Sequence, residues 1–173
     1  LLGILKILFD FGEIMCEISG MNKYSFQASS GAQGIYTNAC LIRAYHESNG
    51  EGDQRDEIIT TAFSHPADAA TPSVAGFKVI TLMPGDNGYP DFQSLQSVLS
   101  ERTAGLMVTN PEDTGLFNHH VPAMVKAVQD AGGLCAYDQA NANGLLGIAR
   151  AGDIGFDLCQ FNLHKTFSGP HSS

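Results

Sequence analysis

From residue 57 onward the chain alternates short runs rich in β-branched and aromatic residues with stretches of helical periodicity, and this alternation limits the fold more than any other feature. Glu57 to Ala62, Phe77 to Leu82, Ala104 to Thr109, Leu134 to Asp138 and Phe156 to Phe161 read as strands. Between them, Ala67 to Ala75, Asp91 to Ser100 and Val121 to Ala131 read as helices, with Asp91 as an N-cap and Gly132-Gly133 closing the last. Strands joined through helices pair most readily in parallel, because each crossover returns the chain to the same end of the sheet. The expected fold is therefore α/β: a mostly parallel sheet with helices on both faces. Two helices precede it. Residues 1 to 18 carry Leu5, Leu8, Phe9, Ile14 and Ile18 at helical spacing, with Gly20 as the stop. A second helix runs from Gly31-Ala32-Gln33-Gly34 to about His46, after a loop ending in Ser29-Ser30.

A length of 173 residues suffices for one domain with a core of its own. The net charge of −9 and the lack of any basic run argue against a nucleic-acid binder, and the acidity reads as a solubility feature. Cys16, Cys40, Cys135 and Cys159 form no CxxC pair, so a zinc site is not expected; they read as buried free thiols in a reducing compartment. His119-His120 reads as a solvated helix start, since neighbours on a helix point apart. The apolar run Leu1 to Phe9 is too short to span a membrane and lacks the marks of a signal peptide. It starts as though mid-helix, and Ser168 to Ser173 stops in a loop, so a fragment truncated at both ends is expected.

In open α/β sheets chemistry gathers beyond the carboxyl ends of the strands. Lys165 follows Phe156 to Phe161, where a partly desolvated amine becomes a nucleophile toward an aldehyde. Asp138 closes Leu134 to Asp138, where a carboxylate can hold a pyridinium nitrogen in its protonated form. Gly31 to Gly34 opens a helix whose free N–H groups suit a phosphate. His65 follows the first strand, where an imidazole can stack on a flat ring. Taken singly, each has an ordinary reading: a surface lysine, a turn aspartate, a loop-to-helix junction, a locally bonded histidine. Their order along the chain is that of the large domain of aspartate-aminotransferase-like, fold-type-I enzymes of pyridoxal 5′-phosphate (PLP).

The segment Phe161-Asn162-Leu163-His164-Lys165-Thr166-Phe167 closely resembles the N-L-H-K-T-F pattern of the glycine dehydrogenase (decarboxylating) family, the P-proteins of the glycine cleavage system. Gly31 to Gly34 with Ile42 to His46 resembles its G-A-Q-G-E … I-R-A-Y-H, Gly152 to Asp157 its G-D-I-G-A-D, and Asp138 to Asn143 its D-G-A-N-M-N. The resemblance runs from about residue 10 to the end. It implies that Lys165 carries PLP as a Schiff base, that Asp138 faces the ring nitrogen with Ala140 beneath the ring, and that His65 stacks above it. It also implies that Ala32 and Gln33 lie at the phosphate, that His164 is a catalytic neighbour, and that Thr109 belongs to the cofactor-binding set. No metal is expected. Glycine would be the substrate, its aminomethyl group passing to the lipoyl arm of the H-protein. The assembly would be a homodimer or a heterotetramer with a second P-protein subunit, cytoplasmic in a bacterium or archaeon and in the mitochondrial matrix in a eukaryote. Residues 1–173 would form part of the PLP-binding large domain without the small C-terminal domain, inactive alone.

The chain departs from the family at two loops. S-A-H-G-T-N-P-A-S appears as Ser64-His65-Pro66-Ala67-Asp68-Ala69-Ala70-Thr71, and Y-P-S-T-H-G as Asn110-Pro111-Glu112-Asp113-Thr114-Gly115. Gln139 stands where Gly is the pattern, and Ser172-Ser173 where a Gly run is. The alternatives are another fold-type-I PLP decarboxylase or transaminase, and a P-protein-like subunit that has lost turnover and serves a binding or structural role.

Overall fold

The computed structural model of the protein describes residues 1–171. The loop expected over residues 168–173 is open chain as far as His171, and Ser172-Ser173 lie outside the described residues. Strands β1 (Glu57–Thr61), β2 (Lys78–Leu82), β3 (Thr103–Thr109), β4 (Leu134–Gln139) and β5 (Leu158–Phe161) form one parallel sheet in the order β2-β1-β3-β4-β5. The helices are α1 (Leu2–Ser19), α2 (Gly31–Ser48), α3 (Ala67–Val74), α4 (Phe92–Gln96), α5 (Val121–Asp130), α6 (Ala151–Ile154) and α7 (Leu163–Thr166).

Alternate strand residues face opposite layers. Ile58, Met107 and Ala136 pack under α2 and α3, against Ile35, Ala39, Ile42 and Ala67. Ile59, Leu106, Val108, Cys135 and Tyr137 face α4 and α5, against Leu95, Val121, Met124, Val125 and Val128. Full burial of each such aliphatic side chain is worth about 1.5–3 kcal/mol, so the two layers hold the sheet between them. Helices cover both faces, as the alternation predicts. α1 lies past the edge strand β5, where Met15, Phe161 and Ala142 are buried among Phe11, Tyr24, Phe26 and Phe167.

Several boundaries differ from the sequence reading, each for a reason in the backbone bonding. Phe77 and Phe156 precede their strands rather than opening them. Their N–H groups close the turns after α3 and α6, on Pro72 O and Ala151 O, instead of joining the ladder. α4 is capped by Asp91, whose carboxylate accepts the Ser94 N–H at 2.7 Å, but it ends at Gln96 rather than Ser100 as Val98 N–H turns back to Leu95 O. α6 and α7 are single turns, too short to carry a periodicity in the sequence. Of the four cysteines, all free, only Cys135 is buried; Cys16 and Cys40 sit on helix flanks and Cys159 on the edge strand, where they are half-buried. Among the described residues no helix is long and apolar enough to cross a membrane.

Candidate active site

The chain enters the sheet at β1, steps outward to β2, then returns to the other side of β1 with β3. That reversal opens a crevice beyond the carboxyl ends of β1 and β3, the place where open α/β sheets bind ligands. The register extends it sideways: Thr109 pairs with Asp138, and Asp138 with Gln160. A cavity of about 200 Å³ lies beside this row, lined among others by Gly31, Ala32, His65, Asp138, Ala140 and Lys165.

One wall is the start of α2. Ser30 caps it, its hydroxyl accepting the Gln33 N–H at 3.2 Å, while the earliest N–H groups of a helix have no intrahelical acceptor. Gly31 and Ala32 thus offer donors at the positive end of an 18-residue helix, a site suited to a phosphate. Both glycines of this turn are needed for close approach. A Cβ on Gly31 would lie 2.5 Å from Asn162 Oδ1, and one on Gly34 2.5 Å from Gln160 Cγ. Gln33 does not line the cavity; its Oε1 accepts from the Ser29 N–H at 3.0 Å and the Ser29 hydroxyl at 2.6 Å, which folds the preceding loop over the helix start.

The floor is Asp138, 5% exposed, with Oδ1 accepting the Ala140 N–H at 2.9 Å. Burial pushes its carboxyl above the usual carboxylate range, while the Ala140 N–H and the neighbouring His65 and Lys165 pull it back. Ala140, 9% exposed, leaves space where a larger side chain would fill the cavity.

His65 is exposed at the opposite side. Its Nδ1 accepts the Ala67 N–H at 3.1 Å, which leaves Nε2 as the protonated nitrogen of the neutral ring. Its own N–H donates to Thr109 Oγ1 at 3.0 Å. Thr109 does not line the cavity and instead anchors the loop that carries His65.

Lys165 sits on α7, not in a loop, and it is exposed rather than partly desolvated, because that single turn forms the cavity's rim. α7 is stapled to the segment after β4: Thr166 Oγ1 donates to Asn143 Oδ1 at 2.8 Å and accepts the Ala142 N–H at 3.0 Å. Ala140 and Lys165 are therefore held at a fixed relative position. His164 lies within hydrogen-bonding distance of Asn162 Nδ2, at 3.2 Å, with its ring tilted against His171 at 4.7 Å.

A lysine amine, a buried carboxyl, a helix start and an imidazole around one slot fit PLP, and the comparisons with known proteins agree. The aminotransferase class-V family model matches residues 33–171. The chain belongs to the aminotransferase class-V family. PLP is the cofactor of that family, and the class-V reading assigns the sheet to fold type I, as the sequence suggested. The chain is 45% identical over 169 residues to the probable glycine dehydrogenase (decarboxylating) subunit 2 of Pyrococcus furiosus, and 44% identical to that of Bacillus cereus. Each match takes in 98% of this chain and 34% of the relative, so the chain spans about a third of the length of the curated relatives it matches. Among solved structures, the SepCysS–SepCysE N-terminal domain complex matches with a TM-score of 0.79 at 12% identity, over 95% of this chain and 44% of that one. Burkholderia pseudomallei sphingosine-1-phosphate lyase matches at 0.68 and 15%, over 84% and 36%. These last two likenesses concern the fold alone.

Residues in and around the cavity also matter that carry no signal in the sequence. Thr166 ties α7 to residues 142–143 and Asn162 lies against Gly31 of α2. Asp68, 1% exposed, accepts the Thr109 hydroxyl at 2.8 Å and stands behind His65. An acidic residue in the first turn of a helix reads from sequence as a solvated dipole partner, which hid it.

Proposed function

We propose that this chain forms the cofactor-bearing part of a glycine dehydrogenase (decarboxylating) within a glycine cleavage system. The observation that carries the reading is the convergence of Gly31, Ala32, His65, Asp138, Ala140 and Lys165 on one cavity, with Lys165 inside the Asn162 to Phe167 pattern. The naming of relatives at 44–45% identity supports the same substrate.

Bound PLP would supply an electron sink for cleavage at the α-carbon of an amino acid. Lys165 Nζ would hold the cofactor covalently. The Gly31 and Ala32 N–H groups would bind its phosphate, and the dipole of α2 would favour that charge. Asp138 would keep a proton on the ring nitrogen; its burial makes that single charge count for more than it would in water. Ala140 would leave one ring face unobstructed and His65 would cover the other, keeping bulk water from the reacting carbon. In the overall reaction glycine loses CO₂ and its remaining aminomethyl carbon bonds to one sulfur of the oxidised lipoyl arm of an H-protein. The second sulfur leaves as a thiol, so the lipoyl disulfide is the oxidant. The relatives' designation as a second subunit supports assembly with another P-protein subunit.

A second reading, a binding subunit without turnover, is favoured by the loops 64–71 and 110–115, where Thr114 replaces a histidine of the family pattern. Glycine–bicarbonate exchange by the intact protein with lipoylated H-protein separates the two. Label passing from bicarbonate into glycine, dependent on H-protein, is the expected result. PLP binding without any exchange would overturn turnover and leave the binding role.

A further inference from the structure

Asp68 is a carboxyl group in the interior whose surroundings do not suit a charge. It is 1% exposed, in the first turn of α3, and the hydrogen bond it receives is from a neutral donor, the Thr109 hydroxyl at 2.8 Å. Among the described residues it belongs to no ion pair. Arg43, the cation that α2 brings nearest to α3, lies over the Phe77 ring, at 4.4 Å from its centroid, and beside Gly76, past the far end of that helix. The other titratable groups acting on Asp68 are Asp138, from β4, and Asp113, from the loop after β3, and both oppose a negative charge. Asp138 is better provided for: it accepts the Ala140 N–H, and His65 and Lys165 stand near it. Two buried carboxyls that act on each other cannot both ionise cheaply, and the proton goes to the one with fewer donors and no cation.

The Asp68 bond also has a direction. With the Asp68 proton on its other oxygen, Thr109 Oγ1 gives its proton to Asp68 Oδ2 and takes the His65 N–H at 3.0 Å, and Thr109 N–H donates to Ser64 Oγ at 3.0 Å. The threonine hydroxyl has one proton, so an acceptor at Asp68 decides which way its lone pairs face. That choice presents an acceptor to the His65 backbone and pins the residue that covers the cavity.

We infer that Asp68 is a positioning residue of this site: through the Thr109 hydroxyl it fixes His65, and it does so as the neutral acid, leaving Asp138 as the buried carboxylate that carries the charge. The inference rests on the PLP reading only for its consequence. A second charge beside Asp138 would compete for the same cations, so cofactor affinity should fall once Asp68 ionises. Burial and the Asp138 charge push the Asp68 carboxyl well above the usual range, which sets that loss at higher pH than the ionisation of the exposed aspartates.

The test uses the intact protein with ¹³C-labelled aspartate carboxyls, the His65 amide exchange rate, and PLP affinity as a function of pH. Without cofactor, one carboxyl should keep the chemical shift of the neutral acid after the exposed aspartates have ionised, and Asp68→Asn should remove that signal. Asp68→Asn, which keeps the shape and the acceptor, should keep His65 amide protection. Asp68→Leu and Thr109→Val should lose it, the second guarding against a packing failure in the first. PLP affinity of the wild type should carry a component that weakens as pH rises, by about tenfold for each unit of pKa coupling, and the Asp68→Asn profile should lack that component. Ionisation of Asp68 together with the exposed aspartates would overturn the inference, as would unchanged His65 protection in both Asp68→Leu and Thr109→Val. No PLP binding by the wild type at any pH would instead overturn the cofactor reading, since the carboxyl and amide results need no cofactor.

Discussion

The two sides of the structure around the cavity are built by opposite means. Around β4 and β5, small residues and neutral hydrogen bonds do the positioning: Gly31 and Gly34 let α2 touch the β5 exit, Gln160 Nε2 donates to Asn162 Oδ1 at 2.8 Å, and Thr166 ties α7 to residues 142–143. Around β1 and β3, three carboxyl groups stand where the resembling pattern has Asn, Ser and Thr, namely Asp68, Glu112 and Asp113. Glu112 is 3% exposed and, among the described residues, neither of its oxygens has a hydrogen-bond partner, the nearby Thr61 hydroxyl pairing with Ser64 Oγ at 2.8 Å. Burial pushes its carboxyl up, and the charge of Asp113 adds to that. The first half is therefore positioned largely by groups that do not titrate, while the second gathers carboxyls that do. Close packing keeps the lysine in place; the charge set around His65 is where this chain departs from the resembling pattern.

The largest effect expected falls on the charge at the cavity floor. Asp138→Asn should retain PLP and lose turnover by roughly 10²–10³-fold, the scale of losing one preorganised electrostatic group. Glycine–bicarbonate exchange per bound PLP measures it, and undiminished exchange would show that the ring nitrogen needs no anionic partner here. In the neutral half, Gly34→Ala forces a Cβ to within 2.5 Å of Gln160 Cγ, on a side chain held by two hydrogen bonds. Urea unfolding should report about 1–3 kcal/mol lost to overpacking. An unchanged midpoint would mean that the β5 exit is looser than the contact implies.

What the sequence disclosed tracks this division. The five strands and helices α1 to α5 were legible, α4 with too late an end, because apolar periodicity and caps such as Asp91 and Gly20 are local signals. The single turns α6 and α7 were not, since four residues carry no period and α7 is held by tertiary bonds from Thr166 to Ala142 and Asn143. Lys165, His65 and Asp138 were legible as strand-exit residues and do share one cavity. Gln33 and Thr109, grouped with them from sequence, turn to supporting roles. Asp68 was invisible because burial, not identity, gives it a role.

Smaller effects sharpen the contrast. Thr166→Val removes a donor and an acceptor at once and should cost about 1 kcal/mol, with Ala142 amide exchange accelerated; unchanged protection there would deny the staple. In the acidic half, Glu112→Gln should alter the pH dependence of stability more than stability itself. The folded state holds the Glu112 proton more tightly than the unfolded chain does, so stability is fullest below the unfolded value near 4.5 and falls as pH rises from there toward the raised folded value. The glutamine variant should lose that component of the fall, so the gap between mutant and wild type should widen in the mutant's favour with pH. A constant gap from pH 4 to pH 8 in urea melts would mean that Glu112 is solvated or paired.

The central claim is that Lys165 is the amine that holds the cofactor at this cavity. Borohydride reduction of the intact protein loaded with PLP, followed by proteolysis and peptide mapping, tests it directly. The account predicts a single pyridoxyl-modified peptide carrying Lys165, absent in Lys165→Ala. A label on Lys23, Lys78 or Lys126, with Lys165 unmodified, would contradict it.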